Sequence, residues 1–248
     1  MLNLFVLLAC AKQAKIASNQ PLIESAPTLP QVEIAGALFK MMHQGDRGPN
    51  AELLSVQDQP HLYGLGAMEG LDGEVTIWDG QVWISRPADQ SRVQTTQTAN
   101  ATDSATLLVH STVPQWTQIT LTSSLDDSSL EVRIQEHAKA HGLSTEEAFP
   151  FTIVGQSKQT QWHVIDGTKI TDEAHGHEAH MQTAIKGSIE NETVHIVGFY
   201  SPKHKGVFTH HDSTVHSHLI SKEQNLTGHI DSLSLHEGAI LSLPTMAR

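Results

Sequence analysis

Between residues 149 and 243 the chain is cut into seven short runs, 149–154, 161–165, 183–189, 193–200, 214–220, 229–235 and 240–243, separated by polar or glycine-bearing segments. Runs of about four to eight residues rich in Val, Ile, Phe and Thr read as strands. A chain so dense in strands must bury sheet faces against something. Further short strands are expected at 62–63, 75–78 and 82–84, with Asp79-Gly80 as a hairpin turn between the last two. Others are expected at 107–109 and 116–121, and residues 88–105, rich in Gln, Thr, Ser and Asp, read as a surface loop. Two helices are expected. Residues 32–44 place Ile34, Ala35, Leu38, Phe39 and Met42 at helical spacing before Gly45, a C-cap residue. Residues 128–141 carry Leu130, Ile134 and Ala138 on one face, a Ser128/Glu131 capping box and a terminal Gly142. The pattern is α+β, strongly weighted to β.

Composition narrows the function. The net charge is −12, with no long Lys/Arg run, which argues against nucleic acid as a partner. A single cysteine excludes an internal disulfide and any Cys-based zinc cluster. Histidine is in excess: 17 residues, against 15 Lys and Arg together. Their full protonation would carry the charge to about +5, so mild acid transforms this surface. Imidazole is also a common metal ligand. No G-x-S-x-G elbow marks a serine hydrolase, and the glycines at 64–73 lack the spacing of a phosphate-binding loop.

The N-terminus reads as a leader. Residues 1–9 are apolar apart from Asn3 and too few to span a bilayer core of about 30 Å. Leu7-Leu8-Ala9-Cys10 resembles a bacterial lipobox, with Cys10 the lipidated residue, so 1–10 is a signal remnant and 11–30 a flexible tether. Export to the cell envelope on a lipid anchor is the expected location; a cytoplasmic protein with a frayed apolar end is the alternative. No segment after residue 10 reads as transmembrane.

The sharpest chemistry is His216-Ser217-His218 followed by His229. On a strand at 214–220, residues 216 and 218 point to one face. The polar stretch from Lys222 to Asn225 permits a hairpin that returns His229 beside them. Three histidines with an open fourth position have the form of a catalytic Zn²⁺ site; three ordinary core or surface histidines are the alternative. His175, His177 and His180 form a second cluster, read either as an accessory metal collector or lid, or as a solvated loop. His204, His210 and His211 support the first cluster or are merely exposed.

Three ordered motifs resemble the alpha-acetolactate decarboxylase family: Leu62-Tyr63-Gly64-Leu65-Gly66-Ala67 with Gly70-Leu71-Asp72-Gly73-Glu74-Val75, then Gly198-Phe199-Tyr200-Ser201-Pro202, then His216-x-His218 with Gly228-His229. The resemblance runs from about 32 to 244. It implies two closely packed subdomains, roughly 31–150 and 151–248, each on a mixed or antiparallel sheet with few helices, often paired as a homodimer. It implies zinc on His216, His218 and His229, with Glu74 reaching in from the first subdomain; a plain turn carboxylate is the alternative for Glu74. The reaction implied removes CO2 from 2-acetolactate, a 2-hydroxy-3-oxo acid, and yields acetoin.

The chain departs from the family pattern at three places. A family arginine, expected to orient the substrate carboxylate, is replaced by His163, which offers no bidentate fork and pairs a carboxylate only when protonated. A proline-rich loop is replaced by residues 167–180. A family tail bringing a further glutamate to the metal has no counterpart up to Arg248. Three functions fit: decarboxylation with His163 in the arginine's role, hydrolysis by zinc-bound hydroxide, or zinc binding in the envelope without catalysis.

Overall fold

The computed structural model describes residues 29–171 and 176–246, and of His177 the backbone alone. The leader with Cys10, nearly all of the tether, and His175 lie outside the described residues.

Two antiparallel sheets form the molecule. The first contains β1 (Glu33–Ala35), β2 (Ala51–Glu52), β3 (Leu62–Met68), β4 (Glu74–Trp78), β5 (Gln81–Pro87), β6 (Val93–Thr96) and β7 (Ser104–Thr112). Its order is β1-β7-β3-β4-β5-β6, with β2 also on β7. The second contains β8 (Trp116–Thr120), β9 (Leu125–Asp126), β10 (Phe149–Val164), β11 (Ile185–Ile189), β12 (Thr193–Tyr200), β13 (Val215–Ser221), β14 (Leu226–Leu235) and β15 (Ile240–Pro244). The chain thus passes from one sheet to the other between Thr112 and Trp116, earlier than the sequence-based division at 150. The helices are α1 (Leu38–Gln44), α2 (Asp127–Ala140) and the short α3 (His177–Met181). Among the described residues no helix is long and apolar enough to cross a membrane.

Several elements differ from their sequence expectation for identifiable reasons. The helix expected over 32–44 begins only at Leu38, because Glu33–Ala35 pair with His110, Val109 and Leu108 at the sheet edge. Gly36, at φ +86°, then turns the chain, and a Cβ there would run into the Thr106 carbonyl. The stretch 88–105 holds a strand, β6, whose Thr95 and Thr96 pair with Ser85 and Ile84. Helix α2 is capped two residues earlier than expected: Asp126 accepts from the Ser129 N–H, and the Ser129 hydroxyl answers the Asp126 N–H. Asp126 outcompetes Ser128 because its carboxylate accepts without having to place a proton.

The runs at 149–154 and 161–165 form one sixteen-residue strand. Its first half pairs with β12 and its second half with β14, with register shifts at Ser157/Gln159 and Gln161/Trp162. Because β12 pairs β13 and β13 pairs β14, the ring β10-β12-β13-β14 closes on itself. Leu130, Ile134 and Ala138 of α2 bury against this sheet with Phe149, Phe151 and Leu235. Its other face meets the first sheet, where Val197 and Phe199 pack with Tyr63, Leu65, Leu107 and Val109. The close approach of β3 to β7 needs Gly66, since a Cβ there would meet the Leu107 carbonyl. Helix α1 closes one end of the seam with Leu38, Met41 and Met42.

Candidate metal centre

The seam between the sheets carries the histidines. His216 and His218 lie on one face of β13, two residues apart, and His229 on β14 is the direct cross-strand partner of His218. His216 Nε2 and His229 Nδ1 stand 3.1 Å apart. Two nitrogens bound tetrahedrally to one ion at about 2.0–2.1 Å lie about 3.3 Å apart, so this spacing suits a shared cation.

The tautomer of His218 follows from proton bookkeeping. Thr227 Oγ1 donates to the Leu219 carbonyl at 2.8 Å. The Thr76 hydroxyl, 2.5 Å from Thr227 Oγ1, must therefore donate to it. His218 Nδ1, 3.2 Å from Thr76 Oγ1 and 3.1 Å from the Val75 carbonyl, meets only acceptors and carries the proton. That leaves a lone pair on Nε2, buried and without a hydrogen-bond partner. A metal ligand held at its far nitrogen by backbone and hydroxyl is oriented in this way.

Burial keeps the cluster neutral. It lowers His218 to about 3, helped by the charge of His163, and pushes His216 and His229 well below the usual imidazole range, helped by their mutual repulsion. Neutral imidazoles are the ligand form. Because the unfolded chain takes up protons at 6.5 that the fold refuses, the stability these residues allow is complete above pH 6.5 and is lost as pH falls below it. Metal-free protein should lose about 2 kcal/mol at pH 5 from His218 alone, with His216 and His229 adding in the same direction. Denaturant titrations of metal-free Glu74→Gln at pH 7 and 5, free of the opposing contribution of the buried carboxyl, check this; equal midpoints would contradict it.

Glu74 enters from β4 of the first sheet, its Oε2 3.6 Å from His218 Nε2. It is 4% exposed, and burial raises its carboxyl well above the ordinary range, with the charge of Asp231 adding to the shift against an opposing hydrogen bond from the Ile165 N–H. His163 on β10 is the register partner of His229, and its Nδ1 sits 2.6 Å from Asp231 Oδ1. A narrow cavity lined by Glu74, His163, His216 and His229 is walled on its apolar side by Met41 and Met42.

Sequence reasoning brought His216, His218, His229, Glu74 and His163 to this place but missed Asp231. Its signal was present: on a strand, His229-x-Asp231 aims two ligands the same way. His210, whose ring centre is 5.5 Å from that of His229, arrives on a loop with no periodicity to announce it. His180 is buried against α1, its Nδ1 2.7 Å from Met42 Sδ, so its segment backs a wall of the cavity. Among the described residues, the groups able to hold a metal are His216/His218/His229 and His163/His229/Asp231.

Two antiparallel sheets with a buried three-histidine centre at their seam define the class. The alpha-acetolactate decarboxylase family profile matches residues 33–246, and the chain belongs to that family. The fold agrees with it. An acetolactate decarboxylase from Bacillus subtilis subspecies spizizenii is 19% identical over 88% of this chain and 87% of that one, with a TM-score of 0.69. The enzyme of Bacillus subtilis strain 168 is 19% identical, covering 86% and 85%, with a TM-score of 0.68. A Staphylococcus aureus protein of unknown function, similar to alpha-acetolactate decarboxylase, is 16% identical over 86% and 84%, with a TM-score of 0.66. No curated protein sequence matches the chain.

Proposed function

We propose that this chain is a zinc-dependent carboxy-lyase that converts 2-acetolactate, or a close 2-hydroxy-3-oxo acid, to acetoin and CO2. The observation that carries the reading is Glu74, a buried carboxyl whose burial raises it above the ordinary range, with its Oε2 3.6 Å from His218 Nε2. His216, His218 and His229 would hold the ion, their nitrogens being neutral, convergent and, at His218 Nε2, otherwise unsatisfied. Bound there, the metal supplies Lewis-acid stabilisation for the negative charge that develops on substrate oxygens as CO2 departs.

The protein residues do the rest. Cleavage of the bond to the carboxyl leaves its electron pair on the adjacent carbon, delocalised into the neighbouring carbonyl. Glu74 delivers its carboxyl proton to that carbon and is reprotonated from solvent, so one proton is consumed for each CO2 released. Met41, Met42 and Leu71 keep water from competing for the carbanion. His163 takes the place of the expected arginine. With Nδ1 engaged by Asp231, its Nε2 is left for the substrate carboxylate, and both nitrogens donate only in the imidazolium.

Because Glu74 acts in its protonated form, zinc-loaded full-length chain should form acetoin from racemic acetolactate at a rate that falls as the pH rises through the raised value of that carboxyl, and none after chelation. One bound zinc with no acetoin at any pH would refute the assignment.

A further inference from the structure

The buried trio has a neighbour that shares one of its ligands. His163, His229 and Asp231 also present one ligand atom each within 4.8 Å of one another. They differ in burial: His163 is buried, His229 half-buried and Asp231 exposed. His216 and His229 line the inner cavity beside Glu74, and both also line a second, outer groove. That groove is acidic, carrying Asp127, Glu131, Asp212 and Asp231 with no Lys or Arg among its lining residues. The two hollows thus share these histidines, one largely apolar and lined by α1, the other polar and anionic.

We propose that His163, His229 and Asp231 form a staging position through which a divalent transition cation passes from the acidic groove to His216, His218 and His229. The inference rests on the metal-holding reading of the buried trio. Carboxylates lining a cleft concentrate cations there and raise their association rate by about 10–10³-fold, most strongly at low salt. An incoming ion meets Asp231 first, because Asp231 is exposed whereas His163, His216 and His218 are all buried. A mixed carboxylate and imidazole site suits an incoming cation less selectively than the inner, all-imidazole site, which favours transition metals such as zinc. Since His229 belongs to both groups, the ion is handed over by exchanging His163 and Asp231 for His216 and His218 around a ligand it never releases. The two positions are filled in turn, and the chain holds one ion at equilibrium.

Co²⁺ added to metal-free full-length chain tests this, with uptake followed by stopped-flow visible absorption and the final stoichiometry by metal analysis. Wild type should take up one equivalent. Asp231→Asn, checked for an unchanged thermal unfolding profile, should reach the same one equivalent about tenfold more slowly, and Glu131→Gln/Asp212→Asn should slow uptake and weaken its salt dependence. His216→Ala should retain one weaker equivalent, which Asp231→Asn in that background abolishes. Unchanged uptake rates in Asp231→Asn with normal stoichiometry would overturn the staging position while leaving the buried centre intact. No Co²⁺ uptake by wild type would overturn both.

Discussion

Glu74→Gln should form acetoin about 10³-fold more slowly than wild type while its metal-free form is the more stable of the two. Glutamine keeps the shape and the carbonyl oxygen that accepts from the Ile165 N–H, but it has no proton to deliver to carbon. Loss of a positioned general acid costs about 10²–10⁴-fold. The stability change has the opposite sign for an electrostatic reason. Burial raises the folded Glu74 carboxyl well above 4.5, so the stability it contributes is complete below pH 4.5 and is lost as pH rises through its folded value. At pH 7 the unfolded chain ionises freely, whereas the fold must exclude that charge. Glutamine removes the conflict, and each 1 kcal/mol gained appears as about 2–4 °C in Tm for a chain of this size. The gain should shrink as the pH is lowered toward 4.5. Scanning calorimetry and single-turnover acetoin formation give the two readouts; a Gln variant with wild-type turnover would place the proton donor elsewhere.

His218→Ala should abolish acetoin formation and binding at the buried centre, leaving only the weaker equivalent held by His163, His229 and Asp231, and should also destabilise the metal-free fold. The side chain is wholly buried at the seam, where its Nδ1–H ties β13 to Val75 and Thr76 of the other sheet. Alanine leaves a cavity and strips a buried carbonyl of its donor, for a combined loss of about 2–5 kcal/mol. Thr76→Val separates the two roles. It removes the hydroxyl that helps orient the ring while keeping the ligand, so metal affinity should fall about 10–100-fold with much of the stability retained. Calorimetric zinc titration of both variants checks the pair; a His218→Ala protein that binds zinc like wild type would remove this residue from the centre.

What could be read in advance was local. The two-residue period of His216 and His218, the polar turn before His229 and the Asp79-Gly80 hairpin are written in adjacent residues, and the folded chain follows them. What could not be read depends on partners distant in sequence. Gln156-Ser157-Lys158 looks like a turn between two strands, yet the strand runs straight through because β12 satisfies its backbone before the shift and β14 after it. The helix at 32–44 loses its first six residues to an edge pairing with β7, more than seventy residues away, and to the turn that follows it. Asp231 was legible by strand period but carried no meaning until β10 brought His163 to it.

The closed ring of β10, β12, β13 and β14 leaves its histidines with no frayed edge from which to exchange. Every ligand strand is paired on both flanks, so the backbone amides of His218 and His229 should exchange with deuterium only through global opening. Glu74 belongs to a different sheet. Relative sliding of the two layers would change the distance between Glu74 and the three histidines while leaving the histidine cluster itself rigid. Turnover could then be tuned by strain at the seam without altering the grip on the ion.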